Sequence, residues 1–281
     1  MRISGRESPH APGTALLEVD SVSAGYDGRI AIEAVSMRVH AGQRIAVVGP
    51  NGAGKSTLFK VLAGVHRPAA GRVRIYGSDP GRHVCIAYIE QNADLNWRFP
   101  ATVEDVVAMG RIARVGYFRY LRRADRAIVA AAMERVAISP LRRRQIAELS
   151  GGQRQRMFIA RALAQQAELL MLDEPFVGLD ADAHRQLEAT LGSLGNTVTV
   201  MLATHDLGVA ERIGRVALMN RRLIGYGPAS EVLVAERLAE AYGSNLRRID
   251  ADGKQYALPD SHCDHGVPVG VAGPVRMRAL P

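Results

Sequence analysis

Cysteine is nearly absent. Cys85 and Cys263 are the only two in 281 residues, too few for a disulfide framework, which points to a reducing compartment and a fold held by packing alone. Aromatic residues make up 5% of the chain, with a single tryptophan at Trp97. Lysine is scarce too, at 55, 60 and 254 only, so the balance of 36 basic over 28 acidic residues, +8, is an excess of arginine. Such a charge invites an anionic partner such as nucleic acid, acidic lipid or phosphate, but an arginine-for-lysine codon habit produces it equally well. No apolar run reaches the roughly 18 residues of a membrane span, and residues 1–14 lack the apolar stretch of a secretion signal. The chain is expected neither to cross a membrane nor to leave the cytosol.

What is present is a 47% hydrophobic, 23% charged composition of ordinary globular kind, long enough to bury a substantial core. Residues 1–14 are expected as a disordered extension. Short β-rich runs follow at 17–22, 35–39 and 44–48, then a helix over 55–63 and a hairpin-like pair at 73–76 and 85–89. Between 92 and 149 helical periodicity replaces strand signals, with helices expected over 103–112 and 124–136. The unbroken apolar run at 169–172 reads as a parallel strand covered on both faces, and 198–202, apolar apart from Thr199, repeats it. A hairpin over 215–219 and 223–226 and a helix over 229–242 close the domain. Alternation of strands and helices makes the core α/β. From Gly243 the chain loses periodicity and is expected as a flexible tail over 243–281.

Chemistry enters at Gly49-Pro50-Asn51-Gly52-Ala53-Gly54-Lys55-Ser56-Thr57. This run satisfies the phosphate-binding G-x-x-x-x-G-K-[ST] pattern and lies between a strand and a helix, where the pattern has structural meaning. Glycines let backbone N–H groups converge on phosphate oxygens, and the helix N-terminus adds positive potential. Lys55 is placed to reach β- and γ-phosphates and Ser56 to bind Mg²⁺. A second fixed point is the apolar run that ends in Asp173-Glu174. There Asp173 suits the Mg²⁺ shell and Glu174 a base for water. A third is Leu149-Ser150-Gly151-Gly152-Gln153. Ser150 is a credible helix cap, and the two glycines leave the backbone open to a bulky group. One γ-phosphate needs one cradle, so this second helix start is read as serving a neighbouring chain's nucleotide.

With that run the chain resembles the ABC-type ATPases, over about residues 16–242, and the family's other motifs fall in order. Tyr26 is similar to the aromatic that stacks on adenine, Gln91 to the Q-loop glutamine, Gly178-Leu179-Asp180 to the D-loop and His205 to the switch histidine. The resemblance implies a P-loop NTPase (RecA-like) core with an antiparallel β subdomain and an inserted α-helical subdomain at about 93–155, the whole domain spanning 15–242. It implies ATP and Mg²⁺ as ligands, with Glu174, His205 and Gln91 catalytic and Ser56, Gln91 and Asp173 around Mg²⁺. The nucleotide would be held by Tyr26, by residues 49–57 and, across a homodimer, by Ser150, Gly151, Gly152, Gln153 and Asp180.

A separate ATPase of this length resembles an importer subunit that pairs with an integral membrane permease at the cytoplasmic face, served by an extracellular or periplasmic solute-binding protein; no nucleic acid is expected. Tyr88 to Gln91, Trp97-Arg98-Phe99-Pro100, Met109-Gly110-Arg111, Gly116-Tyr117-Phe118 and Pro175-Phe176-Val177-Gly178 resemble the manganese/zinc/iron importer branch, the siderophore and haem importers being the alternative. Asn96 and Arg98 depart from that branch, which more often has acids there. Arg111, Arg114, Arg119, Arg122, Arg123 and Arg126, with Asp125 the one acid among them, read as a basic face for permease loops, lipid headgroups or solvent. His262, Cys263, Asp264 and His265 are metal-competent but too adjacent to close a tetrahedral site.

Overall fold

The computed structural model describes residues 15–80, 85–91, 96–116 and 119–243, together with the backbone of strands at 246–251, 254–259 and 275–276. The contacts divide the chain into two interleaved units. One comprises Val39–Gln43 and Ile75–Val200; the other comprises Leu17–Arg38, Arg44–Arg74 and the chain from Met201.

In the second of these, β1 (Ala15–Tyr26) and β2 (Arg29–His40) flank Asp27 and Gly28, both left-handed at φ 50° and 76°. That is the two-residue turn whose twist matches a hairpin. With β4 (Ala70–Ile75) these strands form a sheet of order β2-β1-β4. β3 (Arg44–Val48) runs parallel to β8 (Arg215–Asn220), with Ala46 opposite Val216 and Val48 opposite Leu218. β8 returns antiparallel as β9 (Arg222–Pro228). α1 (Lys55–Leu62), α7 (Leu207–Ile213), α8 (Ala229–Val232) and α9 (Ala235–Tyr242) complete the unit. Val48, Ala210, Leu218, Val232 and Leu238 share one core cluster. The single helix expected over 229–242 is two, because buried Leu233 takes a non-helical ψ of 48° and Val234 is extended.

In the other unit β5 (Ile86–Ile89) pairs in parallel with β6 (Leu169–Asp173), Ile86 opposite Leu169 and Ile89 opposite Leu172. β5 therefore does not form the expected hairpin with 73–76. Tyr76 and Gly77, left-handed at φ 46° and 78°, turn the chain so that Ile75 bridges Ser78 instead. β7 (Thr199–Thr204) runs from one unit into the other, and the mixed sheet has the order β5-β6-β7-β3-β8-β9. α2 (Val103–Ala108) starts in a reciprocal capping box between Thr102 and Asp105. The helix expected over 103–112 breaks at a 3₁₀ turn, Met109–Arg111, before α3 (Ile112–Val115). At that turn the backbone passes close to α5 (Gly151–Ala164): a Cβ on Gly110 would run into the carbonyl of Arg161. α4 (Arg123–Arg135) and α6 (Ala181–Ser193) complete this unit.

The basic face is only partly a face. Arg111 is buried, donating from Nε and Nη2 to Asp125 Oδ1 at 3.1 and 3.0 Å and from Nη1 to the Ala164 carbonyl and Gln166. Arg114 donates to the Gln165 carbonyl. These two tie the insertion to the end of α5, but only Arg111 leaves the surface: Arg114, Arg119, Arg122, Arg123 and Arg126 are exposed.

Within the stretch expected as an irregular tail, β10 (Leu246–Ala251) and β11 (Lys254–Pro259) pair antiparallel from Leu246 opposite Pro259 to Ala251 opposite Lys254, and β12 (Val275–Arg276) joins β11. A readable signal for the pairing is Asp252-Gly253 between the two runs. The His262 to His265 cluster lies outside the described residues.

Breaking the buried pair from one side strands a charge. Asp125→Ala should therefore lower unfolding free energy by about 3–5 kcal/mol in denaturant titration, whereas Arg111→Met with Asp125→Leu should recover most of it. Equal losses in the single and double variants would show that the pair is not the tie.

Candidate functional site

The phosphate loop is set by two close approaches. A Cβ on Gly49 would run into the Met219 carbonyl of β8. One on Gly54 would meet the Ile32 side chain and stand 2.6 Å from the Ala31 carbonyl of β2. Gly54 is left-handed (φ 91°), and Gly52 (φ 79°) faces open space. The loop is closed from within by the Ala53 N–H donating to the Pro50 carbonyl. α1 then starts with no capping side chain and no acid in its first turn. Its leading N–H groups have no intrahelical acceptor, and the dipole adds roughly half a positive charge there. Lys55 is buried with its Nζ donating to the Gly49 and Pro50 carbonyls at 2.8 and 3.2 Å. Ser56 and Asn51 are exposed, Thr57 buried.

Beside the loop lies a cavity of about 640 Å³ lined by Tyr26, Asp27, Arg29, Ile30, Ala31, Gly52 and Arg221, a size that takes a small-molecule ligand. Tyr26 is 46% exposed and stacks on His66, centroids 4.6 Å apart, while His66 Nε2 lies 3.0 Å from the Gly25 carbonyl. The β1–β2 turn thus presents an aromatic face at the cavity, backed by a second ring. His205, exposed at the end of β7, belongs to the same unit as the loop.

The other unit carries the acids. β6 is buried at every residue, and at its end Asp173 is 4% exposed with Tyr88 of β5 donating to its Oδ2 at 3.3 Å. Glu174 follows in the left-handed region at φ 46°. A non-glycine residue held there costs about 1–2 kcal/mol, the kind of strain that collects at functional positions. Gln91, just past β5, is exposed.

Ser150 caps α5 as expected: its Oγ accepts from the Gln153 N–H and Gln153 Oε1 accepts from the Ser150 N–H. The two glycines differ, however. Gly151 is exposed, whereas Gly152 is buried because a Cβ there would stand 2.7 Å from that of Ala183. Only the first is open to a bulky group; the second serves packing. Asp180 caps α6 through Oδ1 and the Ala183 N–H at 2.8 Å. The starts of α5 and α6 are therefore neighbours. Trp97 lies flat against Arg154 of α5, guanidinium carbon 4.0 Å from the ring centroid, with Phe158 edge-on at 6.0 Å.

The sequence-expected residues thus fall in two sets, Tyr26, 49–57 and His205 in one unit and Gln91, Ser150 to Gln153, Asp173, Glu174 and Asp180 in the other. The reading missed His66 beneath Tyr26, Tyr88 on Asp173, and the Trp97–Arg154 stack. Only Trp97, unique in the chain, carried a signal.

A glycine loop opening an uncapped helix, together with a buried strand ending in Asp-Glu, defines a P-loop nucleotide hydrolase. Comparison narrows the class. The family model of the ABC transporters matches residues 32–177, just over half of the chain. The manganese transport system ATP-binding protein MntB of Halalkalibacterium halodurans is 41% identical over 235 residues, 82% of this chain and 93% of its own length. YfeB of Yersinia pestis, a chelated iron transport system membrane protein, is 42% identical over 244 residues (84% and 82%), and the zinc uptake system ATP-binding protein ZurA of Listeria innocua 38% over 245 (84% and 95%). Among solved structures, CbiO1 of Clostridium perfringens, part of the ABC transporter complex CbiONQ, superposes with TM-score 0.69 at 28% identity, covering 81% of this chain and 94% of CbiO1. The chain belongs to the ABC transporter family, as an ATP-binding protein whose ATPase activity is coupled to transport.

The two loop glycines make different demands. Gly49→Ala should abolish binding of a fluorescent ATP analogue and lower the melting temperature, because backbone fills its Cβ position. Gly52→Ala, with open space but φ 79°, should cost only about 1 kcal/mol. Comparable tolerance of both would mean the Gly49–Met219 approach does not set the loop.

Proposed function

We propose that this chain is the ATP-hydrolysing subunit of a transition-metal importer, energising passage of manganese, zinc or iron through a separate integral membrane permease. The observation that carries this is identity of about 40% over more than four-fifths of the chain to proteins named for manganese, chelated-iron and zinc transport. Among the described residues no helix is long and apolar enough to cross a membrane, in keeping with a subunit docked at the cytoplasmic face. A solute-binding protein, extracellular or periplasmic, delivers the ion to the permease.

In this reading two copies share their nucleotides. Tyr26 stacks on the base, the backbone of residues 49–57 wraps the phosphates, and Lys55 swings from the Gly49 and Pro50 carbonyls to the β- and γ-oxygens. Ser150, Gly151 and Gln153 of the second copy close over the γ-phosphate. What supports the second cradle is another helix start with an exposed glycine beside its cap. Asp180, through the adjoining α6 cap, lies at the same closure, and Gly152 holds the two helix starts together. Glu174 takes the proton of the attacking water, and His205 steadies the γ-phosphate. Gln91 senses it and passes the state of the site to the helical insertion.

Mg²⁺ fits the donors present. The Ser56 hydroxyl, the Asp173 carboxylate and the Gln91 amide oxygen are hard oxygen ligands, and the buried Asp173 is oriented by Tyr88. Bound there, the ion would neutralise phosphate charge. Nothing in this set selects the transported metal, which leaves selectivity to the other subunits.

Glu174→Gln should retain ATP binding, accumulate as a two-ATP dimer in gel filtration, and lose about 10²–10⁴-fold in hydrolysis. Hydrolysis at the wild-type rate would remove Glu174 from its role. Deleting the gene should lower cell-associated manganese or zinc, measured by mass spectrometry under scarcity. Unchanged metal with loss of siderophore or haem uptake would move the substrate to that class.

A further inference from the structure

The β8–β9 hairpin closes on one residue. Asn220 pairs with Arg222, and Arg221 stands at the tip with φ 58°. Its backbone is fastened on both sides: the N–H donates to the Ala53 carbonyl of the phosphate loop at 2.9 Å, and the carbonyl accepts from the Glu33 N–H of β2 at 2.8 Å. All three residues belong to one unit. This fastening needs a left-handed residue, which glycine supplies freely and arginine only at a cost of about 1–2 kcal/mol. The backbone role alone therefore does not account for arginine at this position.

The side chain points to the reason. Arg221 lines the cavity beside Gly52 of the phosphate loop and Tyr26, with Arg29 also on its wall. The neighbouring Arg222 is spoken for, bonded to both carboxylate oxygens of Glu33 at 2.6 and 3.0 Å, and holds that carboxyl below its usual range. Among the described residues neither Arg221 nor Arg29 places its guanidinium in a hydrogen bond or ion pair. The wall thus carries two cations, Arg29 and Arg221, against one acid, Asp27. Guanidinium groups left unpaired beside a phosphate loop match an anionic ligand, and the planar fork suits phosphate oxygens.

We propose that Arg221 is a further nucleotide-binding residue: held at the loop by its own backbone, it bonds phosphate oxygens of the nucleoside triphosphate seated in the same chain's phosphate loop. This rests on the nucleotide reading of that loop and adds to it a cation from outside residues 49–57. Arg221 also makes the hairpin tip part of the site, so the loop is gripped by the backbone of the residue whose side chain grips the ligand.

The test uses the full chain and calorimetric titration with ATP and with adenosine. Arg221→Gly keeps the left-handed tip without strain, and Arg221→Asn is a second variant whose side chain tolerates that conformation. Both should weaken ATP about tenfold and flatten its salt dependence, while leaving adenosine affinity unchanged. Arg221→Lys should recover part of the loss. ATP affinity and salt dependence equal to wild type in the glycine and asparagine variants would overturn the proposal. Equal weakening of adenosine would overturn it too, since the residue would then shape the cavity and not bind phosphate. Failure of the wild-type chain to bind ATP would overturn the nucleotide reading itself, and this proposal with it.

Discussion

A polyphosphate can be held by backbone amides only if the chain leaves several N–H groups without internal acceptors and keeps side chains out of their way. In this protein the constraint bears on α1, whose first turn is neither capped by a side chain nor offset by an acid. The arrangement costs stability, because an uncapped helix start forgoes about 1 kcal/mol that a serine or aspartate would provide. It persists because the surrounding strands over-determine the loop. β8 presses on Gly49, β2 on Gly54, and the tip of the β8–β9 hairpin holds Ala53. Both strands are anchored in turn, β8 by parallel pairing with β3 and β2 through the tight Asp27-Gly28 turn. The loop is thus rigid for reasons lying outside its own motif.

The other unit solves a different problem, keeping a helical insertion attached to the strands that carry the acids. Its solution is polar as well as apolar. Arg111 spends its donors on Asp125, on the C-terminal carbonyl end of α5 and on Gln166. A cation at a helix C-terminus also meets a favourable dipole. At the other end of α5, Trp97 covers Arg154 and abuts Phe158. A cation over an indole face is worth roughly 0.5–2 kcal/mol depending on how dry it is. α5 is therefore gripped near both ends by segments of the insertion and its entry strap.

How much of this was legible in the sequence depends on what kind of requirement each residue meets. Gly49, Lys55, Ser150 and Asp173 answer to local chemistry at fixed spacing, so their motifs and flanking elements could be read directly. β3 lies exactly where the apolar run placed it, at Arg44–Val48. Pairing was not legible where it is long-range: 73–76 and 85–89 are neighbours in sequence, but the turn at Tyr76-Gly77 separates them and β5 finds β6, some eighty residues on. Nor was the burial of Arg111 or the bond of exposed Arg114 to the Gln165 carbonyl, since an arginine count does not say which guanidinium finds a buried carboxylate or a helix end. Glu174's left-handed backbone and Gly152's packing role are likewise properties of the assembled turn. The pairing of β10 with β11 is different in kind, because Asp252-Gly253 between them is a local signal readable in the sequence.

The contrast between Gly151 and Gly152 bears on how the two copies would communicate. Gly152 is buried because α5 and α6 begin almost in contact, with Ala183 at the point of approach. Ala183 is also the residue whose N–H is capped by Asp180. On the dimeric reading, a movement of Ser150 and Gly151 would be felt at Ala183 through that close approach, and so at the Asp180 cap of α6. From there the strained turn leads back through Phe176, whose ring packs on His184 at 4.3 Å, to Glu174. On the dimeric reading, closing the cradle on one copy's ATP would bear directly on the acid that serves the other.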